Sequence, residues 1–255
     1  DWEVFTRYPC AAQTPPNGDF EYRFKMQNIG NINITDHVMY DILPYVSDTG
    51  VSEVLSVQQR GTQWRPVLNG PITVESAPAA ASPIIEYSLS SNPCRPEVAQ
   101  GGADVDWQGG ACDGTWLTAG QVTDWLLVKS FRVKSFQNGA TWLPAEQIVL
   151  RASMHAPADA LESTKDPFNL SIAWNSTAHR SFRQNADNST VRLLAAEPRK
   201  VGIIVPFPGV SVGDYVWYDS NRDGLQTAGE LPAANIPVTL RDATGKIVGT
   251  TTTNA

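Results

Sequence analysis

The sequence predicts an all-β chain in two unequal parts. Three observations carry that expectation. Short segments alternate polar and apolar residues with period two, turn residues separate them, and no long stretch shows the 3.6-residue apolar spacing of an amphipathic helix. Residues 1–205 read as one β-sandwich, 206–209 as a linker, and 210–255 as a second, smaller all-β part.

The first strand signal is Asp19-Phe20-Glu21-Tyr22-Arg23-Phe24-Lys25-Met26, in which every second side chain is apolar. Asn28-Ile29-Gly30-Asn31 then supplies turn chemistry, and Asn31-Ile32-Asn33-Ile34 resumes the alternation. Val38-Met39-Tyr40-Asp41-Ile42-Leu43 is a further strand, halted by Pro44. Strands are also expected over 52–58, 71–74, 84–89, 124–133, 147–154, 170–175, 191–195 and 201–205. One short helical turn is expected within 157–167.

The stretch 91–120 breaks the rhythm. It holds Gly101-Gly102, Gly109-Gly110, Gly114, Trp107 and Trp116, and reads as a long excursion from the sheet framework. Cys94 and Cys112 bracket much of it. A disulfide between them would close a loop of about 18 residues and contribute about 3 kcal/mol. Cys10 is then left over, or pairs with either of the others.

Pro206-Phe207-Pro208-Gly209 is a stiff linker sequence. Beyond it the pattern predicts a strand over 210–217, an acidic loop over 219–230, and strands over 236–241 and 246–252.

Composition narrows the function classes. The 255 residues suffice for one large or two ordinary domains, and a hydrophobic content of 42% provides for a sizeable core. Charged residues make up 18%, below the roughly 25% of an average soluble domain. The formal net charge of −7 argues against nucleic acid and anionic membrane as partners. No stretch approaches the ~20 apolar residues that would cross a bilayer. Asp1 does not open a basic segment followed by an apolar core, so a leader and a wall anchor are expected outside this sequence.

One motif is sharp. Residues 219–230 read Asp-Ser-Asn-Arg-Asp-Gly-Leu-Gln-Thr-Ala-Gly-Glu and fit the twelve-residue calcium-loop pattern. Calcium takes six to eight oxygens, so the loop must aim several carboxylate and carbonyl oxygens at one centre. Asp219, Asn221 and Asp223 supply side-chain oxygens, Leu225 its carbonyl, Thr227 a direct or water-mediated contact, and Glu230 a closing carboxylate. Gly224 permits the sharp bend. The preceding Tyr215-Val216-Trp217-Tyr218 is strand-like, which sets this loop on a β-scaffold in place of paired helices. The plainer reading is an acidic turn, since Asp, Asn and Gly are common in turns.

Val212-Gly213-Asp214-Tyr215-Val216-Trp217-Tyr218-Asp219, together with the loop, Leu231-Pro232, Ile236-Pro237-Val238-Thr239-Leu240 and Gly249-Thr250-Thr251-Thr252, resembles a B-repeat of the serine-aspartate-repeat surface proteins, the SdrD B-like (Cna B-type) family. The resemblance implies an Ig-like sandwich, stiffened by Ca2+ held through Asp219, Asn221, Asp223, Leu225 and Glu230, that serves as a stalk. Gly18-Asp19-Phe20-Glu21-Tyr22-Arg23-Phe24, Gln27-Asn28-Ile29-Gly30-Asn31 and Asp41-Ile42-Leu43-Pro44 resemble the Ig-like/adhesin-type β-sandwich domains of bacterial surface proteins. Together the resemblances imply a secreted, non-enzymatic segment at the bacterial cell surface or cell wall. Its partner would be a protein or glycan ligand on a target surface, with no nucleic acid and no direct membrane insertion. A structural spacer without its own ligand is the alternative, and a carbohydrate-binding or carbohydrate-active sandwich a further one.

Other residues are weaker signals. Trp107 and Trp116, set among glycines, are the candidates for stacking on a ligand, since flat aromatic faces suit sugar C–H groups; Trp125 and Trp174 read as core. Asp104, Asp106 and Asp113 read as solvated loop carboxylates, with a second cation site the alternative. His37, His155 and His179 stand alone without metal-ligand spacing. No Gly-x-Ser-x-Gly elbow is present. Lys25 and Asn175 read as an exposed lysine and a turn asparagine. The rival expectation is a Lys–Asn crosslink aided by Glu21, Asp41 or Glu86.

Overall fold

The computed structural model describes residues 11–101, 110–164, 166, 169–207 and 215–254. The chain divides into two compact units, Asp1–Pro208 and Gly209–Ala255.

In the first unit the strands are β1 (Ala11–Gln13), β2 (Asp19–Gln27), β3 (Ile34–Ile42), β4 (Val67–Leu68), β5 (Thr73–Ser76) and β6 (Ile84–Ser88), then β7 (Ser130–Ser135), β8 (Gln147–His155), β9 (Ser171–Asn175), β10 (Thr177–Gln184), β11 (Thr190–Arg192) and β12 (Val201–Val205). They form a five-stranded sheet in the order β11-β10-β3-β7-β6, a four-stranded sheet in the order β2-β8-β4 with β5 also on β8, and a three-stranded sheet in the order β1-β12-β9.

The period-two patterns set the core. In β8, Ile148, Leu150, Ala152 and Met154 point inward and are fully buried, whereas Gln147, Arg151 and Ser153 face outward. In β2, Tyr22 and Met26 are buried while Glu21 and Lys25 are exposed. These residues meet Met39 of β3, Tyr87 of β6, and Phe131 and Val133 of β7 in one cluster that joins the two larger sheets. Phe24 and Phe131 make an edge contact across it, with ring centroids 5.6 Å apart. Trp64 and Trp142 belong to the same core.

Strand β3 is buried on both faces. Met39 faces the main core. Val38, Tyr40 and Ile42 face the other way, into a second cluster with Val51, Val98, Ala99 and Ala178. The loops that follow β3 and β6 therefore cover the outer face of the five-stranded sheet. The Gly- and Trp-rich excursion is part of this cover, since Cys112 and Trp116 pack against the second cluster.

Several local expectations are corrected. Segment 52–58 is no strand. Glu53–Leu55 is a single 3-10 turn, and Gly50 N donates to the carbonyls of Leu55 and Gln58, at 3.1 Å each. Val54 and Val57 there are exposed, so their alternation marks no buried face. Segment 124–133 splits in two. The Asp124 carboxylate accepts from Leu126 N at 2.9 Å and caps the turn Trp125–Leu127 before β7 begins. Asn31–Ile34 and 38–43 are not separate strands, because β3 runs unbroken from Ile34. No helix forms among the described residues of 157–167, only a turn at Ala158-Asp159. Trp125 is partly buried and packs edge-on against Tyr87 at 4.9 Å. Trp174 is half-buried, with the Lys200 ammonium 4.7 Å from its ring centroid, and is not a core residue.

In the second unit, β13 (Pro237–Arg241) and β14 (Ile247–Thr252) form an antiparallel hairpin. Its turn closes with Gly245 N donating to Asp242 O at 2.9 Å. Tyr218 N donates to Leu231 O at 3.0 Å, and Ala233 N to Val216 O at 2.8 Å, so the chain on either side of the acidic loop is paired. The expected strand over 210–217 lies largely outside the described residues.

Candidate functional site

The acidic loop is already curled. Backbone pairing of Tyr218 with Leu231 brings its ends together, and Gly224 at φ +75° supplies the left-handed bend that side chains disfavour. Asp219 Oδ1 accepts from Asp223 N at 3.2 Å and its Oδ2 from Gly224 N at 3.0 Å. Asn221 Oδ1 accepts from Asp223 N at 3.0 Å, and Asn221 Nδ2 donates to Asp223 Oδ2 at 2.8 Å. Asp223 Oδ1 accepts from Leu225 N at 2.7 Å. Glu230 reaches back across the loop, its Oε1 accepting from Ser220 N at 3.1 Å and its Oε2 from Thr227 N at 2.9 Å.

Asp219, Asn221 and Asp223 are thus linked through one another to the Asp223, Gly224 and Leu225 amides, while Glu230 closes separately on the Ser220 and Thr227 amides. The donor set is all hard oxygen, with no thiolate or imidazole, which suits calcium over zinc or copper. Among the described residues, no group of three or more His, Cys, Asp or Glu side chains converges tightly enough to hold a metal ion. The loop therefore has the composition and curl of a cation loop, with its carboxylates turned onto backbone amides.

In the first unit Cys94 and Cys112 form a disulfide, with Cα atoms 4.8 Å apart. The chain beside it is paired as well, Cys94 N donating to Asp113 O at 2.8 Å and Asp113 N to Asn92 O at 2.9 Å. Trp116 does not stand free among the glycines. The Arg132 guanidinium lies 4.3 Å from its ring centroid and the Tyr40 ring 5.7 Å away, while Glu86 holds Arg132 at 2.7 Å. One face of the indole is thus already covered. Trp107, Asp104, Asp106 and Cys10 lie outside the described residues.

A buried polar network, unforeseen in the sequence, ties β3, the loop after it and β9 together. The Arg60 and Asp48 side chains are 3% and 0% exposed and meet at 2.6 Å. Arg60 also donates to Ile42 O at 2.8 Å and Asn175 Oδ1 at 3.3 Å. Asn175 Nδ2 donates to Asp41 Oδ2 at 2.8 Å. Burial pushes the Asp41 carboxyl up to about 7, against the opposing pull of Asn175 and Arg60. Burial likewise raises Asp48, with Arg60 opposing. Asn175 is therefore a buried strand residue and not a turn asparagine. Its carboxamide is committed to Asp41 and Arg60, whereas Lys25 is exposed on β2. Of the other acids named for a crosslink, Glu21 pairs with Arg151 and Arg23, and Glu86 with Arg132 and Lys134.

The histidines divide by environment. His37 is buried, with Nδ1 2.9 Å from Ser181 Oγ and its ring 5.0 Å from Trp142, and burial pulls its pKa down to about 3. His155 Nδ1 lies 2.7 Å from Asp19 Oδ1 at the surface. His179 is partly buried, which lowers its pKa as well.

Fold and loop together describe an all-β chain of two units, the second carrying an acidic twelve-residue loop. Residues 210–255 match the family model described as SdrD B-like domain. Bone sialoprotein-binding protein of Staphylococcus aureus (strain MRSA252) is 54% identical over 48 residues, covering 19% of this chain and 4% of that protein. Serine-aspartate repeat-containing protein E of Staphylococcus aureus (strain MSSA476) is similar to the same extent and over the same shares. The chain thus spans about 4% of the length of these curated relatives. The comparisons support a bacterial surface-adhesin segment with a secreted, cell-surface or cell-wall location, on a family likeness that covers residues 210–255.

Proposed function

We propose that this chain is a non-enzymatic adhesion segment in which a calcium-stiffened stalk module carries a β-sandwich head toward a protein or glycan ligand. The observation that carries the reading is the set of loop amides held by Asp219, Asn221, Asp223 and Glu230, within the residues that match the SdrD B-like family. A cation drawing those oxygens to one centre would replace amide contacts with stronger ion contacts and fix both ends of the loop. Leu225 would offer its carbonyl and Thr227 a direct or water-mediated contact. Binding to the folded form alone adds about 2.7 kcal/mol at a hundredfold excess over Kd.

Calorimetric titration of the full chain with calcium tests this. Saturable binding of one ion, abolished in Asp223→Ala/Glu230→Ala, is the expected result. Absence of heat in the wild-type protein at millimolar calcium would remove the stiffening role and leave a bare β-sandwich spacer.

A further inference from the structure

Tyr22 Oη, Asp41 Oδ1, Asp48 Oδ1 and Arg60 Nε are buried and make no hydrogen bond among the described residues. The side chains that carry them are enclosed, Tyr22 at 6% exposure, Arg60 at 3%, and Asp41 and Asp48 at 0%. A buried donor or acceptor left unpaired is costly, the more so when it is charged, so a group of this kind needs a bonding partner.

The atoms belong to one neighbourhood. Asp41 follows Met39 by two residues on β3, and Asn175 follows Ala173 by two on β9, so each pair shares a sheet face. Met39, Ala173 and Tyr22 belong to the main core, and Asp41 and Asn175 therefore project into it. The other polar atoms of this network are already engaged. Asp41 bonds Asn175 through Oδ2, and Arg60 bonds Asn175 and Asp48 through its two Nη groups. Asp48 Oδ2 also accepts from Tyr45 N at 3.1 Å and from Thr62 Oγ1 at 2.9 Å. What remains is one oxygen of each carboxylate, the guanidinium Nε–H and the phenol hydroxyl. Burial raises the pKa of that phenol, and the charges that act on it are those of Asp41, Arg60 and Asp48.

The remaining set selects its ligand. It offers two carboxylate acceptors, one N–H donor, and one hydroxyl that both donates and accepts. A metal cation would suit the oxygens but would lie against the Arg60 guanidinium, which stays charged. An anion would meet two carboxylates. Water both donates and accepts, matches each half of the set, and adds no charge beside the Arg60–Asp48 pair. A buried water makes about three hydrogen bonds to groups otherwise unpaired, which this site supplies.

We propose that the core of the first unit holds an internal water site bounded by Tyr22, Asp41, Asp48 and Arg60. Water there donates to the Oδ1 atoms of the two carboxylates and accepts from Tyr22 Oη and Arg60 Nε. It joins β2, β3, β9 and the loop after β3 through polar contacts inside an apolar core, and no side chain of the network is then left unpaired.

A crystal structure of the full chain, at a resolution that shows ordered water, tests this first. The expected result is density between these side chains with contacts of about 2.7–3.2 Å to their unpaired atoms. Water 17O relaxation dispersion tests it in solution, because it reads long-lived internal water. Asp41→Leu puts an apolar side chain into the site, and the dispersion amplitude should fall relative to the wild type. The wild-type density decides the matter where Asp41→Leu does not fold. A site without density, in which the same atoms bond directly to one another, overturns the proposal. So does density with oxygen contacts of about 2.3–2.6 Å, which would assign a hard cation instead. An amplitude unchanged in folded Asp41→Leu overturns it as well.

Discussion

Replacing Asp41 with Asn removes a buried titration and should change how stability depends on pH. The Asp41 side chain is fully buried on β3, its Oδ2 accepts from Asn175 Nδ2, and its Oδ1 has no hydrogen-bond partner among the described residues. Burial dominates the carboxyl's environment and lifts it from 3.8 to about 7. The folded state therefore holds the proton more tightly than the unfolded state. Stability is full below about pH 4 and falls as pH rises through 7, by about 4 kcal/mol in all. His37 acts with the opposite sign. Its pKa drops from 6.5 to about 3 on folding, so stability is lost as pH falls through that window. The two slopes overlap between about pH 4 and 6.5 and offset each other in the wild-type chain. Urea unfolding followed by tryptophan fluorescence, from pH 4 to 8, separates them. Asp41→Asn should match or trail the wild type by about 1 kcal/mol at pH 4.5, the cost of rearranging the contact with Asn175. It should exceed the wild type by several kcal/mol at pH 8. A difference between the two proteins that stays flat across this range would refute the assignment of a protonated, buried Asp41.

Other expected outcomes follow from the same contacts. Arg60→Met leaves Asp48 buried without its cation, and should lower stability by about 3–5 kcal/mol in urea titration. Arg60→Met combined with Asp48→Leu should recover most of that loss. Cys94→Ser/Cys112→Ser opens a loop of 18 residues and should cost about 3 kcal/mol. Reductant should lower the melting temperature of the wild-type protein to that of the double variant and leave the double variant unchanged. Gly202→Ala places a Cβ 2.6 Å from Ile172 Cγ2 and 3.0 Å from the Trp174 ring. Overpacking of this kind costs about 1–3 kcal/mol, seen as an earlier thermal transition.

The framework was legible because period-two patterning is imposed by burial on one sheet face. The sequence 147–154 states its own inward set, and β8 buries those residues. The same logic failed where apolar residues alternate without a sheet to receive them, as at Val54 and Val57, or where a cap competes, as at Asp124. The bend of the acidic loop was legible, because the twelve-residue pattern puts a glycine at its turn and Gly224 adopts φ +75° there. The Asp41–Asn175–Arg60–Asp48 network was not, because its members are 115 residues or more apart across the Asn175 contacts. Nothing local marks Asp48 as more than a turn residue after Tyr45. The covering role of the Trp-rich excursion was hidden for a related reason. Strand β3 is apolar on both faces, and only the tertiary fold shows which loop meets the second face.

The central claim is that calcium stiffens the second unit through residues 219–230. Backbone 15N relaxation of the full chain with and without calcium measures it directly. The account predicts that amides of Ser220, Asp223, Gly224, Leu225 and Thr227 become markedly more ordered on saturation, and that Asp223→Ala/Glu230→Ala abolishes the change. Order parameters that stay the same with and without calcium would contradict it.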